Sequence, residues 1–148
     1  LWDPATGAWS DLPPMAQCRR EGGGGVLPSG KVAVLGGFGS GCGREGEAFD
    51  PVARTWQPLP PMARSREGHG VVAVAGGLLV VGGADEPALA VAREDGTPDE
   101  LFDEASGRWF ALPHPTAQRR RSTTAVLLPA SALAPPPAAC AGAAASAQ

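Results

Sequence analysis

The stretch Phe49-Asp50-Pro51-Val52-Ala53-Arg54-Thr55-Trp56-Gln57-Pro58-Leu59-Pro60-Pro61-Met62 occurs three times in variant form. It stands 47 residues earlier as Trp2-Asp3-Pro4-Ala5-Thr6-Gly7-Ala8-Trp9-Ser10-Asp11-Leu12-Pro13-Pro14-Met15. It returns 53 residues later as Phe102-Asp103-Glu104-Ala105-Ser106-Gly107-Arg108-Trp109-Phe110-Ala111-Leu112-Pro113. An aromatic residue, an Asp, a Trp and a Leu keep their mutual spacing in all three copies. Self-similarity at a period near 50 residues is the mark of stacked supersecondary units, each burying its apolar face against the next.

A second recurring unit lies between the copies. Arg20-Glu21-Gly22, followed by Lys31-Val32-Ala33-Val34-Leu35-Gly36-Gly37, matches Arg66-Glu67-Gly68, followed by Leu78-Leu79-Val80-Val81-Gly82-Gly83, at an offset of 46 for the arginines. It starts again at Arg121-Ser122-Thr123-Thr124-Ala125-Val126-Leu127-Leu128. In the middle repeat, short Val- and Leu-rich runs bounded by Gly, Pro or acidic residues predict strands at 70–74, 78–81, 100–102 and 108–111. Pro28-Ser29-Gly30 and Ala75-Gly76-Gly77 sit where a tight hairpin joins the first two strands of a repeat. The expectation is an all-β chain with four antiparallel strands per repeat, the pattern of a propeller blade.

In this order (Arg, apolar strand, Gly-Gly, loop, aromatic-Asp-Pro, Trp, Leu-Pro-Pro-Met) the chain resembles the kelch repeat over residues 1–128. The resemblance implies a kelch-type β-propeller segment: two complete four-stranded blades and a partial blade at each end. It also implies a protein-interaction role. Kelch propellers serve as substrate receptors of ubiquitin ligases, in which arginines at the place of Arg20, Arg66 and Arg121 line the face around the channel and grip acidic peptides. A planar guanidinium suits a carboxylate because it makes two parallel hydrogen bonds. The competing reading is that these arginines only brace neighbouring loops. The loops after each Gly-Gly pair, residues 38–46 and 84–99, are expected on that same face, the second carrying most of its charge as acid.

Composition narrows the classes further. Of 148 residues, 21 are Gly and 16 Pro, which fits turn-rich β structure and argues against a helical bundle. A formal net charge of -3 gives no polyanion-seeking field, so nucleic acid is not an expected partner. The longest near-apolar run, residues 71–84, is shorter than the roughly 20 residues of a membrane helix and is broken by two Gly-Gly pairs, so no membrane span is expected. Cys18, Cys42 and Cys140 form no Cys-x-x-Cys pair, which suits three free thiols in a reducing cytoplasmic setting better than a disulfide frame or a structural zinc site. The chain begins with Leu1 inside a repeat and reads as a fragment. From residue 129 to 148 it is Ala/Pro-rich and too poor in large apolar groups to offset its ordering entropy, so a disordered tail is expected there.

No catalytic constellation emerges. The glycines at 22–25 and 36–41 lack the Gly-Lys-Ser/Thr ending of a phosphate loop and read as close packing. His69 and His114 have no ligand-spaced carboxylate or Cys, and His69 reads as a hydrogen-bonded structural residue. No Ser or Cys has an identifiable base. Trp9, Trp56 and Trp109 share one repeat position and are expected to fill the space between blades, with Trp2, Phe49 and Phe102 at a second packing position. The reading is a non-enzymatic interaction module needing no cofactor or metal. Its partner is a protein with an acidic segment, met by Arg20, Arg66 and Arg121, and its open ends meet further blades or a second copy. The alternative is a fragment of a propeller enzyme such as a galactose-oxidase-like carbohydrate oxidase. That copper-radical chemistry requires a Tyr ligand, and this sequence has no Tyr.

Overall fold

The computed structural model describes residues 1–39, 41–84, 98–113 and 122–127, all of them in strands, turns or irregular segments. Ten strands run in order: β1 (Trp2–Asp3), β2 (Ala8–Trp9), β3 (Gly23–Val26), β4 (Val32–Leu35), β5 (Gly46–Asp50), β6 (Thr55–Leu59), β7 (Gly70–Val74), β8 (Gly77–Val81), β9 (Glu100–Asp103) and β10 (Arg108–Ala111). They form a two-stranded sheet, β1-β2, and two four-stranded antiparallel meanders, β3-β4-β5-β6 (sheet one) and β10-β9-β8-β7 (sheet two). The four strands expected in the middle repeat are those of sheet two, with β8 starting one residue earlier, at Gly77, and β9 ending one residue later, at Asp103. No helix among the described residues is long and apolar enough to cross a membrane. The Ala/Pro-rich segment 129–148 lies outside the described residues.

The aromatic-Asp phrase builds the outer hairpin of each sheet. Phe49 pairs with Trp56 and Phe102 with Trp109, their rings 5.2 Å and 5.1 Å apart and tilted, a favoured arrangement for aromatic quadrupoles. The Asp closes the turn: Asp50 Oδ1 accepts the amides of Val52 and Ala53 at 2.9 Å and 3.0 Å. Asp3 accepts the Ala5 amide, and Asp103 the Ser106 amide, each at 2.9 Å. Four residues after each Asp the chain takes a positive φ, at Gly7, Arg54 and Gly107. Arg54 adopts there a conformation that glycine reaches without a Cβ clash.

The core lies between the two four-stranded sheets. Ala33, Leu35 and Ala48 from sheet one meet Leu78, Val80 and Phe102 from sheet two, with Leu27 and Met62 closing the ends and Leu59, Val71 and Trp109 packed around them. Leu35, Leu78 and Val80 are essentially inaccessible to water, and each such side chain contributes about 1.5–3 kcal/mol relative to exposure. The glycines of β3 allow the approach. A Cβ at Gly25 would stand 2.8 Å from Leu78 Cδ2, and one at Gly23 would collide with Val71. The glycine-rich run at 22–25 is therefore a packing feature.

Sheet one meets sheet two through the row Gly25, Ala33, Ala48, Gln57, paired across its four strands. The facing row of sheet two is Ala73, Leu78, Phe102, Trp109. Trp109 packs against the core between the sheets as expected and Trp56 is half-buried, but Trp9 is 79 % exposed and Trp2 50 %. The expectation that every Trp of this position fills a space between sheets is corrected at the first copy: the described residues place no sheet against the outer face of β1-β2.

Candidate functional site

Arg66 is held from every side. Its Nε and Nη2 donate to Glu100 Oε1 at 3.1 Å and 2.8 Å, its Nη1 donates to the Gly82 carbonyl at 2.7 Å, and its Nη2 also donates to the Pro98 carbonyl. Glu100 Oε2 accepts the Ala63 amide at 2.8 Å, and both side chains are at most 2 % exposed. Burying two charges is costly unless all their hydrogen-bonding capacity is used. Here a carboxylate and two carbonyls take four of the five guanidinium N–H groups, so it ties the strand-to-strand crossing of sheet two together, and its burial keeps it from an outside carboxylate.

The same clamp recurs in sheet one, built on Arg19. Its Nη2 donates to Glu47 Oε1 at 2.8 Å and its Nη1 to the carbonyls of Gly36 and Glu45, both at 2.9 Å. Glu47 Oε2 accepts the Ala16 amide at 2.8 Å. Burial alone would raise the Glu47 pKa; the Ala16 amide and the Arg19 guanidinium overcome this and leave it below the ordinary value.

The repeat mate of Arg66 is thus Arg19, and the register differs by one residue from an alignment on Arg20-Glu21-Gly22. Backbone pairing gives the same answer. Arg20 bridges Phe38 as Glu67 bridges Ala84, and positive φ falls at Glu21, Gly68 and Ser122. Successive repeats are stitched at this level by Gly68 N donating to Glu21 O at 2.9 Å and Thr123 N to Gly68 O at 3.0 Å. Arg20, Glu67 and Arg121 therefore share one repeat position. Arg121 lies outside the described residues, as does His114.

Arg20 is exposed, in contrast to Arg66. Its guanidinium carbon stands 4.1 Å from the centroid of the Phe38 ring, while the backbones of the two residues exchange hydrogen bonds at 3.1 Å and 2.7 Å. At that distance the ring attracts the cation, while the residue as a whole remains exposed. Of the three sequence-predicted arginines, the structure puts Arg20 at the surface and Arg66 in the interior, so it does not bring these two together on one face. Sequence reading passed over Arg19, Glu47, Glu100 and Phe38. The available signal was Glu47-Ala48-Phe49-Asp50 beside Glu100-Leu101-Phe102-Asp103: an acid recurring inside a buried strand requires a cation recurring at the same period.

His69 sits at the inner junction of the two sheets, 4 % exposed, against positions where Gly23 and Gly36 have no side chain. Burial first, and the nearby Arg66 charge second, bring its pKa down to about 4, against smaller opposing contributions from the Leu35 and Arg66 backbone. The Leu35 and Arg66 backbones are the nearest hydrogen-bonding groups to the ring, but neither meets a ring nitrogen with good geometry, so His69 is held as a buried neutral side chain mainly by packing.

A cavity of about 550 Å³ opens beside Trp56, between the Pro13-Pro14 crossing and the outer strands of sheet one, with Gln17, Arg19 and Arg54 on its wall. Trp56 Nε1 donates to Pro13 O at 2.8 Å at its edge. Cys42 is buried and Cys18 exposed, both as free thiols. Among the described residues no group of three or more His, Cys, Asp and Glu could hold a metal ion. No protein-family model matches this chain, and no curated protein matches it.

Proposed function

We propose that the chain is a segment of a kelch-type β-propeller and serves as a non-enzymatic protein-interaction module that binds an acidic segment of its partner. The observation that carries the reading is the contrast between two arginines of neighbouring repeats. Arg66 is buried and held by Glu100, Gly82 and Pro98, whereas Arg20 is exposed beside Phe38, with no hydrogen-bond partner for its guanidinium among the described residues. A guanidinium braced on an aromatic ring loses less freedom when it grips a carboxylate. Arg121, at the same repeat position, is the second proposed contact. Arg66 acts as the frame that fixes the crossing from which its neighbours emerge. Within this class, the resemblance favours the substrate-recognition part of a ubiquitin-ligase adaptor.

The test is capture of a fluorescent Asp/Glu-rich peptide by the purified chain. Arg20→Glu is expected to weaken binding at least tenfold and leave the thermal melt unchanged, and binding is expected to fall as salt rises because exposed charges are screened within roughly 8–10 Å. Undiminished capture by folded Arg20→Glu overturns the reading.

A further inference from the structure

The loop at 38–46 bridges the entry segments of two neighbouring repeats. At its start the backbones of Phe38 and Arg20 exchange two hydrogen bonds, and a Cβ at Gly39 would stand 2.7 Å from the Cys18 carbonyl oxygen. At its end Gly43 O accepts the Arg66 amide and Arg44 O the Met62 amide, both at 2.9 Å. Between these ends Cys42 is fully buried, its amide donating to Gly39 O and its thiol to Gly37 O, and the Glu45 amide donates to Cys42 O. Both ends of the loop are therefore fixed to the fold, and little ordering is left to a ligand that lies on it.

Three exposed arginines lie along this bridge: Arg20 beside Phe38 at its start, Arg44 near its end, and Arg64 in the segment that flanks that end. Met62 and Arg66 are buried on either side of Arg64, so the segment turns Arg64 outward. Arg44 Nε donates to Met62 O at 2.7 Å, which fixes the guanidinium and uses one of its five N–H groups. Arg19 and Arg66 are spent on Glu47 and Glu100, whereas Arg20, Arg44 and Arg64 have no ion pair among the described residues. Of the charged residues in 16–21, 38–46 and 62–68, only these three arginines and Glu21 are exposed. On a chain of formal net charge -3 the surface along this loop is thus cationic.

We infer that the acidic segment of the partner protein lies lengthwise along the loop at 38–46, with acids at one end on Arg20 and acids at the other on Arg44 and Arg64. The inference rests on the acidic-partner reading and gives it a direction and a length. A chain advances at most about 3.3–3.6 Å per residue, so residues 38 to 44 span no more than roughly 20 Å, and partner acids some six residues apart reach both ends. The end with two arginines suits a pair of carboxylates, because each guanidinium offers two parallel hydrogen bonds. The remaining exposed arginines, Arg54 and Arg108, stand on the outer hairpins, away from the loop.

Fluorescence anisotropy of the full chain with two labelled peptides tests it. One peptide carries two glutamates at each end of a three-residue Gly/Ser spacer, and the other carries two glutamates at one end only. The first is expected to bind about tenfold tighter or more, since its second end engages at high effective concentration. Arg44→Glu and Arg64→Glu are each expected to weaken it by about fivefold, and Arg108→Glu, the same change of charge on β10, to stay within about twofold of the parent. Circular dichroism melts check folding; Arg64→Glu breaks no side-chain hydrogen bond among the described residues and so carries the test if Arg44→Glu loosens the loop. Undiminished binding by folded Arg64→Glu, an equal loss in Arg108→Glu, or equal affinity for the two peptides would each overturn the inference, and the acidic-partner reading would still stand on the loss in Arg20→Glu. A parent that captures neither peptide would overturn both.

Discussion

Two buried ionisable residues make the clearest claims at the residue scale. Arg66→Ala leaves Glu100 buried with only the Ala63 amide for a partner, and is expected to cost about 3–5 kcal/mol. Arg20→Ala removes an exposed cation–π contact, expected to cost about 0.5–1 kcal/mol. Urea titrations of the two variants check the pair, and equal losses would restore the register in which they are equivalent. His69 gives a pH dependence whose sign is fixed. Its folded pKa, about 4, lies below the ordinary 6.5, so between these values the unfolded chain binds more protons than the folded one. Stability is then complete above pH 6.5 and falls as pH drops toward 4, by on the order of 3 kcal/mol. Below that range Glu47, with its own depressed pKa, adds a further loss on protonation. Denaturant midpoints across pH 4 to 7 should show this slope in the parent and lose it in His69→Gln; an unchanged slope in a folded His69→Gln protein would assign it elsewhere.

At the scale of strands and hairpins, the outer hairpins share one design but not one load. Trp109 packs on the core and donates to Pro60 O at 2.8 Å, whereas Trp9 projects into solvent. Trp109→Ala is expected to lower stability by roughly 3 kcal/mol or more and Trp9→Ala by under about 0.5 kcal/mol, measured by thermal melts at concentrations where the chain is monomeric. The hairpins were legible in the sequence because a strand has period 2: Phe49 and Trp56 must share a face once Asp50 closes the turn between them. The arginine register was not. Arg19-Arg20 and Arg119-Arg120-Arg121 are runs of the same residue, so the match of Arg20-Glu21-Gly22 to Arg66-Glu67-Gly68 has the better identity and the wrong geometry. What settles it is which guanidinium reaches Glu47 or Glu100 across the sheet, a contact some 30 residues away in sequence. Which Trp is covered was equally illegible, since the same motif is buried or exposed according to the sheet that stands against it.

At the scale of the whole molecule, the question is whether the two four-stranded sheets are separate units or one. Each presents a single layer of short strands, and neither can bury its face alone. The core draws Ala33, Leu35 and Ala48 from one sheet and Leu78, Val80 and Phe102 from the other, so opening either exposes both. Cross-sheet ties reinforce the coupling: Gly68 N to Glu21 O at 2.9 Å and Gly37 N to Arg66 O at 2.8 Å join the inner ends. Glu104 accepts the Ser29 amide at 2.9 Å where the β3-β4 hairpin meets sheet two. The expected behaviour is one cooperative transition for both, with β1-β2 opening earlier because it has two residue pairs and no share in the core. Native-state hydrogen exchange is the measurement. Amides of β4 and β8 should report the same opening free energy, and those of β1-β2 a smaller one. Gly25→Val, which forces a side chain against Leu78, should lower the values in β4 and β8 together, by about 1–3 kcal/mol. If the substitution lowered protection in β4 while β8 kept its original value, the sheets would be independent and the shared core would not be what holds them.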